Sequence, residues 1–84
     1  ELVITASLNG EPVSAPVEIN DEKGERVFRN ATNWPRKGTR VVLLPEGVYT
    51  VTVKNPKGQA VRFDNVPVAP GDSKTLAAEF PTAP

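Results

Sequence analysis

The chain has no cysteine, no histidine and no methionine. Without cysteine there is no disulfide, no thiol nucleophile and no zinc–thiolate centre. Without histidine it lacks the commonest general base and the commonest metal ligand. No Ser/His/Asp set can be assembled, and Glu46, in a tight turn, has no evident carboxylate partner for paired-acid chemistry. No apolar run approaches the roughly 20 residues that a membrane-spanning helix needs. Ten basic and ten acidic residues cancel, so no net field favours nucleic acid or an anionic membrane. These absences argue against an enzyme, and against dependence on a metal or cofactor.

What the chain has in quantity is punctuation. Nine prolines and six glycines stand between short strand-like runs. A length of 84 residues fits one domain, read here as residues 1–80, with 81–84 as the start of a C-terminal linker. The sequence carries no signal-peptide pattern and opens at Glu1 in residues that already read as strand, so it reads as a mature product or an excerpt of a longer chain, the excerpt being the favoured reading.

The organising stretch is Leu43 to Val53. Pro45 presets a turn and Gly47 offers a residue that tolerates positive φ. Tyr49, Val51 and Val53 then alternate with Thr50, Thr52 and Lys54, the period of a strand with one buried face. The tyrosine hydroxyl is expected to reach a backbone partner near the turn. Around this strand the pattern predicts six more, at residues 2–8, 15–20, 25–29, 39–44, 59–64 and 73–80, with turns every 8–12 residues or so. Asn9-Gly10 is a strong turn dipeptide, because both residues tolerate left-handed backbone. Asp21 to Gly24 reads as a polar hairpin loop, Asn55-Pro56-Lys57-Gly58 and Pro70-Gly71-Asp72 as turns, and Asn65 to Ala69 as an edge segment, since Pro67 cannot donate to a ladder. The predicted core is Ile4, Ile19, Leu43, Tyr49, Val51, Val53, Phe63 and Leu76, with Val27 and Val41 also inward and Phe28 open to either face. The fold class that follows is all-β, a seven-stranded sandwich of the Ig-like kind.

The motifs run in the order Asn9-Gly10-Glu11-Pro12-Val13-Ser14-Ala15-Pro16-Val17-Glu18-Ile19, Gly24, Leu44-Pro45-Glu46-Gly47-Val48-Tyr49-Thr50-Val51, and Val66-Pro67-Val68-Ala69-Pro70-Gly71. In that order the chain resembles the transthyretin-like (prealbumin-like) sandwiches, and most of all the carboxypeptidase regulatory-like domains. The resemblance covers nearly the full chain. It implies a seven-stranded Greek-key β-sandwich and a role as an accessory module beside a catalytic, adhesive or transport domain. Two departures narrow it. The hydroxyisourate-hydrolysing relatives need histidines, which are absent here. The collagen-adhesin relatives that crosslink through a lysine in the first strand find none in Leu2–Leu8.

Few residues suggest contact chemistry. Trp34 lies in the irregular stretch Asn30 to Gly38 with Asn33, Arg36 and Lys37. A small domain with few aromatics tends to bury its tryptophan, which makes Trp34 a cap over one end of the core. Left outside, it would stack on a sugar ring or a partner, with Asn33, Arg36 and Lys37, and with Phe28 if exposed, around it. Arg36, Lys37 and Arg40 otherwise read as solvated charges. Asp21, Glu22 and Glu25 have oxygen ligands for calcium, but match no calcium loop and enclose Lys23, so they read as a solvated hairpin. Asp64, Asn65 and Asp72 form an equally weak set. The expected function is a non-catalytic spacer or protein-interaction module of a larger bacterial extracytoplasmic protein, periplasmic, secreted or on the cell surface. Its expected partners are neighbouring domains or another protein, with the isolated domain monomeric, without nucleic acid or membrane insertion. The alternative is a carbohydrate-binding module using Trp34.

Overall fold

The computed structural model describes residues 1–55 and 58–80. The described residues form strands and turns without a helix: β1 (Leu2–Leu8), β2 (Glu11–Pro12), β3 (Pro16–Asn20), β4 (Arg26–Ala31), β5 (Thr39–Val42), β6 (Gly47–Lys54), β7 (Ala60–Val68) and β8 (Lys74–Phe80). Eight strands replace the seven expected, because Asn9 (φ 53°) and Gly10 (φ 83°) make a left-handed turn tight enough to pair β2 back on β1. The turn at Pro56-Lys57 and the linker at 81–84 lie outside the described residues.

The strands divide into two sheets that pack face to face as a β-sandwich. In the first sheet β1 is central. Its whole length pairs in parallel with β8, from Leu2 opposite Lys74 to Leu8 opposite Phe80. Its other edge takes β5 along Leu2–Thr5 and β2 at Ser7–Leu8, both antiparallel. The parallel ladder is tied beyond both ends, where Lys74 N–H donates to Glu1 O at 3.0 Å and Asn9 N–H to Phe80 O at 3.1 Å. The second sheet is antiparallel in the order β4-β3-β6-β7.

Alternation decides what lies between the sheets. Leu2, Ile4, Ala6, Val42, Ala78 and Phe80 come from one sheet; Val17, Ile19, Tyr49, Val51, Val53, Val66 and Val68 come from the other, and all are buried. Phe63 and Leu76 are half-buried against this cluster. Fully burying a side chain such as Ile4, Ile19 or Phe80 contributes about 1.5–3 kcal/mol. Tyr49 keeps its ring in the core while its hydroxyl donates to Pro45 O at 2.7 Å, which holds the turn before β6 closed. Gly47 does not take the expected positive φ. It is the first residue of β6, and an added Cβ would meet the Tyr49 ring at 3.4 Å.

Three inward assignments are corrected: Leu43, and with it Val41, which stands opposite the outward Val3, and Val27. Leu43 is not in the core but 80 % exposed. Leu2 pairs directly with Val42, and Ile4 with Arg40, and residues directly opposite in an antiparallel pair share a face. The inward register of β5 is therefore Arg40 and Val42, and a shift of one residue exchanges the faces. Val27 is likewise outside, 46 % exposed. Ile19 pairs with Phe28 and Asn20 with Arg26, so Val27 is the extra residue of a β-bulge, and Phe28 takes the inward position. The segment after Phe63 is not a separate edge piece. It continues β7 across a bulge at Asn65 (φ 54°), and β7 is the edge strand of its sheet, where Pro67 is tolerated.

These contacts separate the two roles of Tyr49. Tyr49→Phe removes one hydroxyl and is expected to lose about 0.5–1.5 kcal/mol in urea unfolding. Tyr49→Ala is expected to lose about 3–5 kcal/mol, a large share of the roughly 4–12 kcal/mol available to a chain this long. Equal losses for the two variants would show that the ring is not a core element.

Candidate functional site

The β4–β5 connection, residues 32–38, carries the chain from the second sheet to the first. Backbone that leaves one sheet for another must find new partners for its polar groups. Thr32 ties this connection to the β2–β3 connection, from a fully buried position. Its hydroxyl accepts from Ala15 N–H at 2.8 Å and donates to Val13 O at 2.7 Å. Its backbone N–H donates to Ala15 O at 2.9 Å, and its carbonyl accepts from Gly38 N–H at 2.7 Å. Gly38 then passes its own carbonyl to Ala6 N–H at 2.8 Å. Gly38 has φ +88°, and a Cβ there would lie 2.5 Å from Pro12 Cβ, so no larger residue fits without displacing β2.

Arg40 fixes the rest of the loop. Its Nε donates to Ala31 O at 2.7 Å and its Nη2 to Asn33 Oδ1 at 2.7 Å. The guanidinium carbon lies 5.9 Å from the centroid of the Phe28 ring, a cation–π distance. Trp34 is held at the backbone, where its N–H donates to Thr39 O at 2.9 Å and it bridges to Arg40. Its peptide bond to Pro35 is cis. The indole does not cap the core: Trp34 is 58 % exposed. Arg36 and Lys37 are exposed next to Trp34, and Asn33 is turned to Arg40. Thr32 and Arg40 carry the loop geometry, and a sequence reading centred on the tryptophan does not reveal their role in it. The available signal was the polar threonine in Asn-Ala-Thr-Asn, flanked by residues that favour irregular backbone.

The remaining sequence candidates fall elsewhere. Asp21 Oδ1 accepts from Lys23 N–H and Glu25 N–H, both at 2.9 Å, so this carboxylate is used inside its own hairpin loop. Among the described residues no group of three acidic side chains converges into a possible metal site. Asp64 pairs with Arg62 at 2.8 Å on the surface, and neither Asn65 nor Asp72 joins them in a hydrogen-bonded cluster. An open groove of about 590 Å³ runs beside Asn20, Thr50, Thr52, Arg62 and Asn65, bordered by Asp21 and Glu22. Asn20 Oδ1 lies there, buried and without a hydrogen-bond partner among the described residues. The groove mixes both signs of charge, whereas the Trp34 loop presents one aromatic among cations only.

No protein-family model matches the chain, and no curated protein does either.

Three outcomes are expected of the loop. Tryptophan emission should lie near that of a water-exposed indole and be quenched readily by iodide; a blue-shifted, protected emission would contradict the placement of Trp34. Thr32→Val should cost about 1–3 kcal/mol in denaturant unfolding, because Ala15 N–H and Val13 O lose their partner. Gly38→Ala should cost at least about 2 kcal/mol, from left-handed strain and overlap with Pro12 together; an unchanged midpoint would mean that the loop does not close on β2.

Proposed function

We propose that this chain is a non-catalytic accessory module of a larger bacterial extracytoplasmic protein, serving as a spacer between neighbouring domains. The observation that carries this reading is the parallel pairing of the first and last long strands. Parallel neighbours start at the same end, so the start of β1 and the finish of β8 lie at opposite ends of the sandwich, about 20 Å apart along seven residues of strand. A unit threaded in this way extends a chain rather than folding it back. The prealbumin-like, Greek-key assignment belongs to the same proposal. In its support, β3 and β6 are sheet neighbours although β4 and β5 intervene, and β5 belongs to the opposite sheet. The order of the turn motifs points the same way.

The test is small-angle scattering on two copies of the chain joined in tandem through residues 81–84. A linear spacer increases the maximum dimension by about one domain length. A tandem as compact as two domains lying side by side would refute the spacer reading.

A second reading, a carbohydrate-binding module, is favoured by one specific observation: Trp34 is exposed on a loop whose backbone is fixed by Thr32, Gly38 and Arg40. A prepositioned aromatic face loses little freedom on binding. A spacer can carry such a site without conflict.

A further inference from the structure

The formal neutrality of the chain hides a strong segregation of charge. Between Glu25 and Glu46 there is no acidic residue, yet Arg26, Arg29, Arg36, Lys37 and Arg40 all lie there. Half of the ten basic residues thus fall in one stretch, leaving five basic against ten acidic residues in the rest of the chain. The fold keeps this stretch together as edge strand β4, the crossing loop and strand β5. Among the described residues the ion pair is Arg62 with Asp64, away from this side; Glu18 stands opposite Arg29 across the β3–β4 ladder, and none of the described carboxylates pairs with Arg36, Lys37 or Arg40. Arg40 donates to a backbone carbonyl and an amide oxygen, both uncharged acceptors.

Some of this charge has an ordinary explanation. Arg26 and Arg29 stand on an edge strand, where cations discourage pairing with another chain. That explanation does not reach Arg36 and Lys37, which stand in the crossing loop, outside any strand and next to the exposed indole.

We propose that the Trp34 loop, with Arg36, Lys37 and the charge of Arg40, binds a carboxylate-bearing polysaccharide. This rests on the carbohydrate reading above and names its ligand class. An indole face stacks on the apolar face of a sugar ring, and the cations pair with carboxylates that repeat along the polymer. A protein partner fits less well. Stable protein interfaces bury about 800 Å² per side around a cluster of apolar anchors. Among the described residues the exposed large hydrophobics are only Val27, Trp34 and Leu43, and of these Trp34 alone lies in the loop. A single stack ringed by cations suits weak binding that repeats along a polymer, with avidity gained from neighbouring sites.

The test is a two-dimensional amide NMR titration with an oligomer of four α-linked galacturonic acid residues. Parallel titrations use a neutral glucose tetramer, a glutamate-rich peptide and an eight-residue oligothymidylate. Saturable shifts are expected at the Trp34 indole N–H, Arg36 and Lys37 with the uronic acid oligomer, weakening as salt is raised. Trp34→Ala should weaken binding about tenfold or more. The pair Arg36→Gln and Lys37→Gln should weaken it several-fold and flatten its salt dependence. All these positions are exposed, so dispersed spectra of the variants are expected to confirm an intact fold. Equal binding of neutral and acidic sugars at Trp34 would overturn the anionic specificity and leave the carbohydrate reading standing. No sugar binding at all would overturn both. Tighter binding of the peptide or of the oligothymidylate would overturn the proposal in favour of an acidic protein or a single-stranded nucleic acid.

Discussion

The structure depends on a buried hydroxyl. A sandwich must pass its chain from one sheet to the other, and each passage takes backbone groups away from their ladder partners. At the β4–β5 passage Thr32 answers this need by binding the residues that lead into β3, Val13 and Ala15, and receiving Gly38. Side chain and backbone of one residue thus join the hairpin strand β2, the start of β3, and the return to β5. Phe28, Arg40 and Trp34 take their positions from that knot. An unmade bond at such a site costs more than a made one contributes, which is why a short polar residue stands where an apolar one would pack better.

Where a strand alternates cleanly, the sequence reveals both its existence and its buried face. Leu2-Val3-Ile4-Thr5-Ala6 and Tyr49-Thr50-Val51-Thr52-Val53 are of this kind, and their inward residues lie in the core as the period of two requires. Val41-Val42-Leu43-Leu44 has no polar residue to set the parity, so either pair could face in. The choice is made by the neighbour: Leu2 brings Val42 inward and leaves Leu43 in water. Arg26-Val27-Phe28 alternates in the sequence, yet a bulge opposite Ile19 and Asn20 changes the parity within the strand. Bulges arise from the pairing of two strands and leave no trace in either one alone.

The candidate site was legible in composition and illegible in depth. The lone tryptophan among Asn33, Arg36 and Lys37 is evident in the sequence, but its exposure is not. Arg40 occupies an inward strand position that pattern reading gives to valine or leucine, and sets its guanidinium over the Phe28 ring. Because Arg40 pairs with neutral acceptors, this placement adds positive potential to the loop instead of cancelling it.

The parallel ladder between β1 and β8 has a mechanical side. A pull on the two ends of the sandwich runs along these strands, and the two strands are drawn in opposite directions past one another. Every hydrogen bond of the ladder, from Leu2 and Lys74 to Leu8 and Phe80, then bears load in shear at the same time. In a hairpin pulled from its open end the bonds would break in succession, each alone against the force. A domain connected in this manner holds its length under tension until several bonds fail together, and a linear element in a chain exposed to drag or stretching has use for that property.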